Sequence, residues 1–136
     1  TDCLSAIRYH VFDNKTMTMA DLLGALANNF EGQERVRQLL INKTPRYGND
    51  DDYADSIMVS VFQTFFDMID GRKNIKGGNY RINMLPTTCH IYFGSVIGAT
   101  PDGRRAAQPL SEGISPVQGA EQRLIWRCGH GRVRAA

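Results

Sequence analysis

Residues 50–70 read DDDYADSIMVSVFQTFFDMID, and this stretch decides how the chain is organised. Three aspartates open it, and anions at that point match the free N–H groups and dipole of a helix N-terminus. Ile57, Met58, Val61, Phe62, Phe65, Phe66, Met68 and Ile69 follow at helical spacing. They fill more than one stripe, so the spacing predicts a helix to about Asp70, closed by Gly71 and buried on two sides. Such a helix needs neighbours on both.

Working outward, the segment from Thr44 to Asn49 is a loop by its Pro45 and Gly48. Before it the pattern predicts three short helices, each with one apolar side. Leu4, Ile7, Val11 and Phe12 mark the first within 3–12. Leu22, Leu23, Leu26 and Phe30 mark the second, with Thr18 three residues ahead of Asp21 as an N-cap arrangement. Val36, Leu39 and Leu40 mark the third. After the central helix, Gly77 and Gly78 lie in a basic loop, and two runs, Tyr80–Leu85 and His90–Phe93, read as short strands around Pro86, Thr87 and Thr88. Pro101-Asp102-Gly103-Arg104 has the composition of a type I turn. From there to Gly119 no helical or strand periodicity remains, and so long a loop is unusual in a compact domain. The expected class is α/β, with helices followed by two short strands and a long loop. Two strands and four helices do not close a sheet of their own, so the pattern fits a piece of something larger.

Composition narrows the function. The chain has 136 residues, is 42% hydrophobic and carries 16 basic against 14 acidic side chains. That is globular, and no apolar run reaches the ~20 residues of a membrane span. Arg123, Arg127, Arg132 and Arg134 stand against Glu121 in the last 16 residues, so residues 1–120 are net −1. A nucleic-acid binder would spread basic charge along a face or helix, so neither nucleic acid nor membrane is expected as a partner. Cys3, Cys89 and Cys128 are odd in number and scattered, which argues for free thiols in a cytoplasmic setting.

No motif assembles a catalytic constellation. The acidic cluster from Asn49 to Asp55 lacks the alternating ligands and terminal Glu of a calcium loop and reads as a helix cap. Gly94-Ser95 and Gly113-Ile114-Ser115 lack G-x-S-x-G spacing. Cys128 and His130 have no second pair for zinc, so no metal is expected. Thr87, Thr88, His90 and Tyr92 are the polar groups on or beside the second run, and they are the candidates for facing a substrate cavity.

Longer strings carry a resemblance. Residues 42–55 (NKTPRYGNDDDYAD), 76–94 (KGGNYRINMLPTTCHIYFG), 98–104 (GATPDGR) and 109–120 (PLSEGISPVQGA) together resemble the glycyl radical enzymes, in their pyruvate formate-lyase-like and glycerol dehydratase-like branch. The resemblance implies part of a ten-stranded α/β barrel. It implies a backbone glycyl radical, installed by a partner activase with S-adenosylmethionine and an iron–sulfur cluster. That radical generates a cysteine thiyl, which abstracts hydrogen from a small-molecule substrate. Coenzyme A is co-substrate in the formate-lyase members, and the full-length family is homodimeric.

Neither radical-bearing motif transfers to this sequence. The family's Cys-x-Glu loop is absent, so Cys3, Cys89 and Cys128 do not inherit the thiyl role. Its Arg-Val-x-Gly-Tyr motif has no counterpart either, since Arg132-Val133-Arg134-Ala135-Ala136 stops short of it. The expectation is therefore a fragment, residues 1–120, that binds no cofactor and is inactive by itself. Residues 121–136 (EQRLIWRCGHGRVRAA) depart from the family pattern and read as a divergent basic tail, from a shifted frame or a truncated gene. The alternative function is a non-catalytic companion or assembly subunit that docks on a full-length glycyl radical enzyme.

Overall fold

A computed structural model of the protein describes residues 1–83 and 88–111. Among these residues the architecture is helical. α1 (Asp2–Ile7) runs directly into a π-helical turn (Arg8–Asp13), followed by α2 (Met19–Ala27), α3 (Glu34–Lys43), α4 (Asp52–Ile69) and α5 (His90–Val96). No strand occurs among the described residues. The expected strand at His90–Phe93 is helix α5, and the run from Tyr80 forms no strand up to Asn83: Tyr80 exchanges backbone hydrogen bonds with Gly71 and Arg72, next to an isolated antiparallel bridge between Lys73 and Asn79. Residues 84–87, from Met84 to Thr87, and the tail from residue 112 onward lie outside the described residues.

Where local chemistry is decisive, sequence and structure agree. The Thr18 hydroxyl accepts from the Asp21 N–H at 3.1 Å and the Asp21 carboxylate accepts from the Thr18 N–H at 3.0 Å, a reciprocal capping box at the start of α2. Asp51 caps α4 by accepting from the Tyr53 N–H at 3.0 Å. α4 ends at Ile69 with Asp70 as its C-cap, and Gly71 follows at φ +75°, the left-handed turn that glycine adopts at no steric cost.

The core is small. Ala6, Leu22, Ala25, Phe30 and Leu40 are buried together, with Ile7, Val11, Met17, Leu26 and Val36 packed against them. Phe30 falls just beyond α2, fully buried at φ +59°. The first helix turns a different side inward than its apolar stripe predicts: Leu4 and Phe12 are exposed, while Asp2, Ser5, Ala6 and His10 are buried. The π turn contributes to this, because i→i+5 pairing rotates every later side chain out of the 3.6-residue phase.

Those buried polar groups stitch α1 to the loop after α3. The Ser5 hydroxyl donates to the Pro45 carbonyl at 2.6 Å, and the Asp2 carboxylate accepts the Tyr47 N–H at 2.9 Å and faces the Arg46 guanidinium at 3.4 Å. Thr44 spends its hydroxyl proton on the Leu40 carbonyl at 2.6 Å, so it can only accept from His10 Nε2–H at 3.1 Å. His10 Nδ1 lies 2.8 Å from the Thr16 hydroxyl, which also reaches the His10 carbonyl oxygen at 3.3 Å.

Burial holds the His10 pKa below its ordinary value, so the unfolded chain takes up the proton first. Stability is therefore complete above the ordinary histidine pKa of about 6.5 and declines as the pH falls below it. Urea unfolding of the chain fused to a soluble carrier should show this decline, and His10→Gln should flatten it. A wild-type profile that is already flat would count against the assignment.

α4 departs from expectation in one respect. Ala54 and Ile57 are buried, α4 lies against α1, and the Tyr53 hydroxyl donates to Asp13 at 2.7 Å beneath the Arg8 guanidinium. Beyond Ile57 the helix leaves the core: Val59, Phe65 and Met68 are more than half exposed, and Phe66 is 40% exposed. Burial on two sides does not occur within the described residues: past Ile57, Met58, Phe62 and Ile69 are only half-buried.

Candidate functional site

α5 carries or borders the groups that the sequence marks for a cavity. Thr88 is exposed in the turn before it, His90 is its first residue and half-buried, and Tyr92 is exposed with its ring 5.8 Å from that of Phe93. Thr87 lies outside the described residues. On a strand, residues two apart share a face, but on a helix they point about 200° apart. His90 and Tyr92 therefore do not converge.

The apolar run Ile91-Tyr92-Phe93 favours a strand by local propensity, and the surroundings override it. Phe93 N–H donates to the Cys89 carbonyl at 2.9 Å and Ile97 N–H to the Phe93 carbonyl at 3.0 Å. The returning chain then crosses the helix. Leu110 N–H donates to the His90 carbonyl at 3.1 Å, and the Gln108 carbonyl oxygen passes 2.2 Å from where a Cβ on Gly94 would stand. Only glycine admits that crossing.

Arg104, 9% exposed, lies inside the resulting loop. Its Nη1 donates to the carbonyls of Gln108 at 2.6 Å, Arg105 at 3.1 Å and Gly94 at 3.4 Å. Its Nη2 donates to the carbonyls of Gly98 and, at 3.3 Å, Ile97. Its Nε donates to the Thr100 hydroxyl at 3.1 Å. These acceptors include orphan carbonyls at the C-terminal end of α5, where a cation is favoured.

The Pro-Asp-Gly turn is present, framed by Thr100 and Gly103 with Gly103 N–H donating to the Thr100 carbonyl at 3.0 Å. It is tied to the core at four points. Arg37 donates to the Gly103 carbonyl at 3.0 Å, Arg46 to the Asp102 carbonyl at 2.7 Å, and Ala106 N–H to the Asn29 side chain at 2.8 Å. Arg105 pairs with Glu34 at 2.9 Å. Hydrogen bonds from Gln38, Arg105 and Arg37 hold the Glu34 carboxyl down at about 2. The first half of the long loop is thus an ordered clasp, and sequence reasoning missed it. Cys3 lies close by, its thiol pushed up to about 11 by burial and by Asp102, so it is no nucleophile near neutrality.

A family profile described as "Pyruvate formate lyase-like" matches residues 1–94. This chain belongs to the glycyl radical enzymes. Trans-4-hydroxy-L-proline dehydratase from Clostridioides difficile is 56% identical over 121 residues, covering 89% of this glycyl radical enzyme chain and 15% of the relative. The crystal structure of that dehydratase with trans-4-hydroxy-L-proline bound superposes with a TM-score of 0.82 over 88% of this chain and 15% of the other. The glycerol-bound B12-independent glycerol dehydratase from Clostridium butyricum reaches the same TM-score at 36% identity, over 90% of this chain and 15% of that one. This glycyl radical enzyme chain thus spans about 15% of the length of the curated relatives it matches. Among its described residues, no helix is long and apolar enough to cross a membrane, and no three His, Cys, Asp or Glu side chains are grouped to hold a metal ion.

Proposed function

We propose that this chain is a segment of a glycyl radical dehydratase or lyase that acts on a small hydroxylated substrate by thiyl-radical hydrogen abstraction. Residues 1–120 form the family segment and residues 121–136 stand outside its fold. One observation carries the reading: 56% identity to trans-4-hydroxy-L-proline dehydratase over nearly the whole matched length, against 36% to glycerol dehydratase. That difference favours a hydroxyproline-like substrate over glycerol. The radical glycine and the thiyl cysteine belong to parts of the enzyme that this sequence does not contain, so the segment alone is inactive. Its activity depends on the rest of the barrel, on the homodimer and on the S-adenosylmethionine and iron–sulfur activase.

Within the assembled enzyme this chain supplies scaffold. Thr87, Thr88, His90 and Tyr92 are its candidates for groups that line the substrate cavity. Keeping water and oxygen from the radical requires a dry, closed wall, and a braced helix suits that task.

Two measurements test the reading. The chain treated with the activase and S-adenosylmethionine should give no glycyl doublet in electron paramagnetic resonance; a doublet would overturn it. Residues 1–111, grafted in place of the corresponding stretch of the Clostridioides difficile dehydratase, should preserve activase-dependent dehydration of trans-4-hydroxy-L-proline. A correctly folded graft without dehydration would count equally against it.

A further inference from the structure

We propose that Arg104 is the positioning residue of α5: its guanidinium, and not apolar packing, fixes where this helix sits and which way its side chains point. The helix buries very little. Gly94 is its one buried residue, while Ile91, Tyr92 and Val96 are more than 60% exposed. None of its side chains belongs to the buried core cluster, which is drawn from Ala6, Leu22, Ala25, Phe30 and Leu40. Beside the Leu110–His90 hydrogen bond and the backbone crossing at Gly94, α5 is held by the group of carbonyls gathered by Arg104, from Gly94, Ile97 and Gly98 on the helix side and from Arg105 and Gln108 on the returning segment.

Arg104 joins two rigid parts. Its own backbone belongs to the turn that Arg37, Arg46 and Asn29 tie to the core, and the Thr100 N–H donates to its carbonyl at 3.0 Å. Its side chain crosses from that turn to the end of α5. A planar fork with five N–H donors can satisfy carbonyls in several directions at once, which a lysine ammonium on a flexible stem cannot. A buried cation also needs every one of those acceptors, because leaving it unsatisfied is costly. The placement of His90 and Tyr92 therefore passes through Arg104. The consequence for catalysis rests on the proposed function, but the positioning itself does not.

Residue-resolved hydrogen exchange on the full 136-residue chain, fused to a soluble carrier, tests this. Arg104→Lys and Arg104→Ala should each speed exchange at the Ile97 and Leu110 amides by roughly tenfold or more, since several hydrogen bonds are lost together. The amides of α2 and α3 should change little. Millimolar guanidinium should restore protection at Ile97 and Leu110 in Arg104→Ala, and methylammonium should not. Unchanged exchange at α5, an equal rise across α2 and α3, or equal rescue by both ions would overturn the positioning role. None of these readouts depends on activity, so they fail separately from the proposed function.

Discussion

Freed from a carrier, the chain is expected to self-associate at micromolar concentration. Val59, Phe65, Phe66 and Met68 on α4 and Ile91, Tyr92 and Val96 on α5 expose apolar surface on two elements, and five residues make up the central core cluster. Monomeric soluble proteins rarely leave large apolar patches uncovered. Sedimentation or light scattering after carrier cleavage should show large species. Combining Val59→Gln, Phe65→Gln and Met68→Gln should shift most of the material to monomer. These three side chains lie outside the core and the clasp, so helix content should hold. A sharply melting wild-type monomer would contradict this prediction.

Gly94→Ala is expected to have the largest effect of any single substitution. The added methyl would lie 2.2 Å from the Gln108 carbonyl oxygen and 2.7 Å from the Pro109 Cα, both main-chain atoms with nowhere to rotate. Relief requires that the 108–110 segment lift off α5, which breaks the Leu110–His90 hydrogen bond and pulls Gln108 away from Arg104. Overpacking that moves backbone costs about 3 kcal/mol, equivalent to a rise of about a hundredfold in exchange at the Leu110 amide. Alanine is the better intrinsic helix former, so an effect of this sign cannot come from propensity. Exchange at Leu110 that stays within threefold of wild type, roughly 0.6 kcal/mol, would refute the crossing.

Much of the fold could be read locally. The capping box of Thr18 and Asp21, the Asp51 cap and the Gly71 stop are encoded within a few residues of where they act. The helices that bury one face are correspondingly where their periodicity puts them. What failed was everything decided at long range. A run as short as His90–Phe93 is compatible with strand or helix, and α5 was settled by Leu110, Gln108 and Arg104, none of which belongs to the run. Asp2, Ser5 and His10 look like surface groups until the 44–47 loop supplies their partners. Arg104 was invisible for a related reason. A charged residue after a Pro-Asp-Gly turn reads as solvated, and only the carbonyls folded around it reveal that it is buried. The family resemblance was legible in long strings, but it names no role for any of these residues.

The ties between the turn and the core also dictate an order of assembly. Arg37 reaches Gly103, Glu34 reaches Arg105 and Asn29 reaches Ala106 across 66, 71 and 77 positions of chain. The core, by contrast, is drawn chiefly from residues 6–40, whose contacts close over short loops. Contacts so distant in sequence form late, since the loop must close before they give anything back. On a ribosome, α1 to α3 can have collapsed before Arg104 has been synthesised. The clasp then docks onto a surface already formed, and α5, held by that clasp, is the last of these helices to find its place.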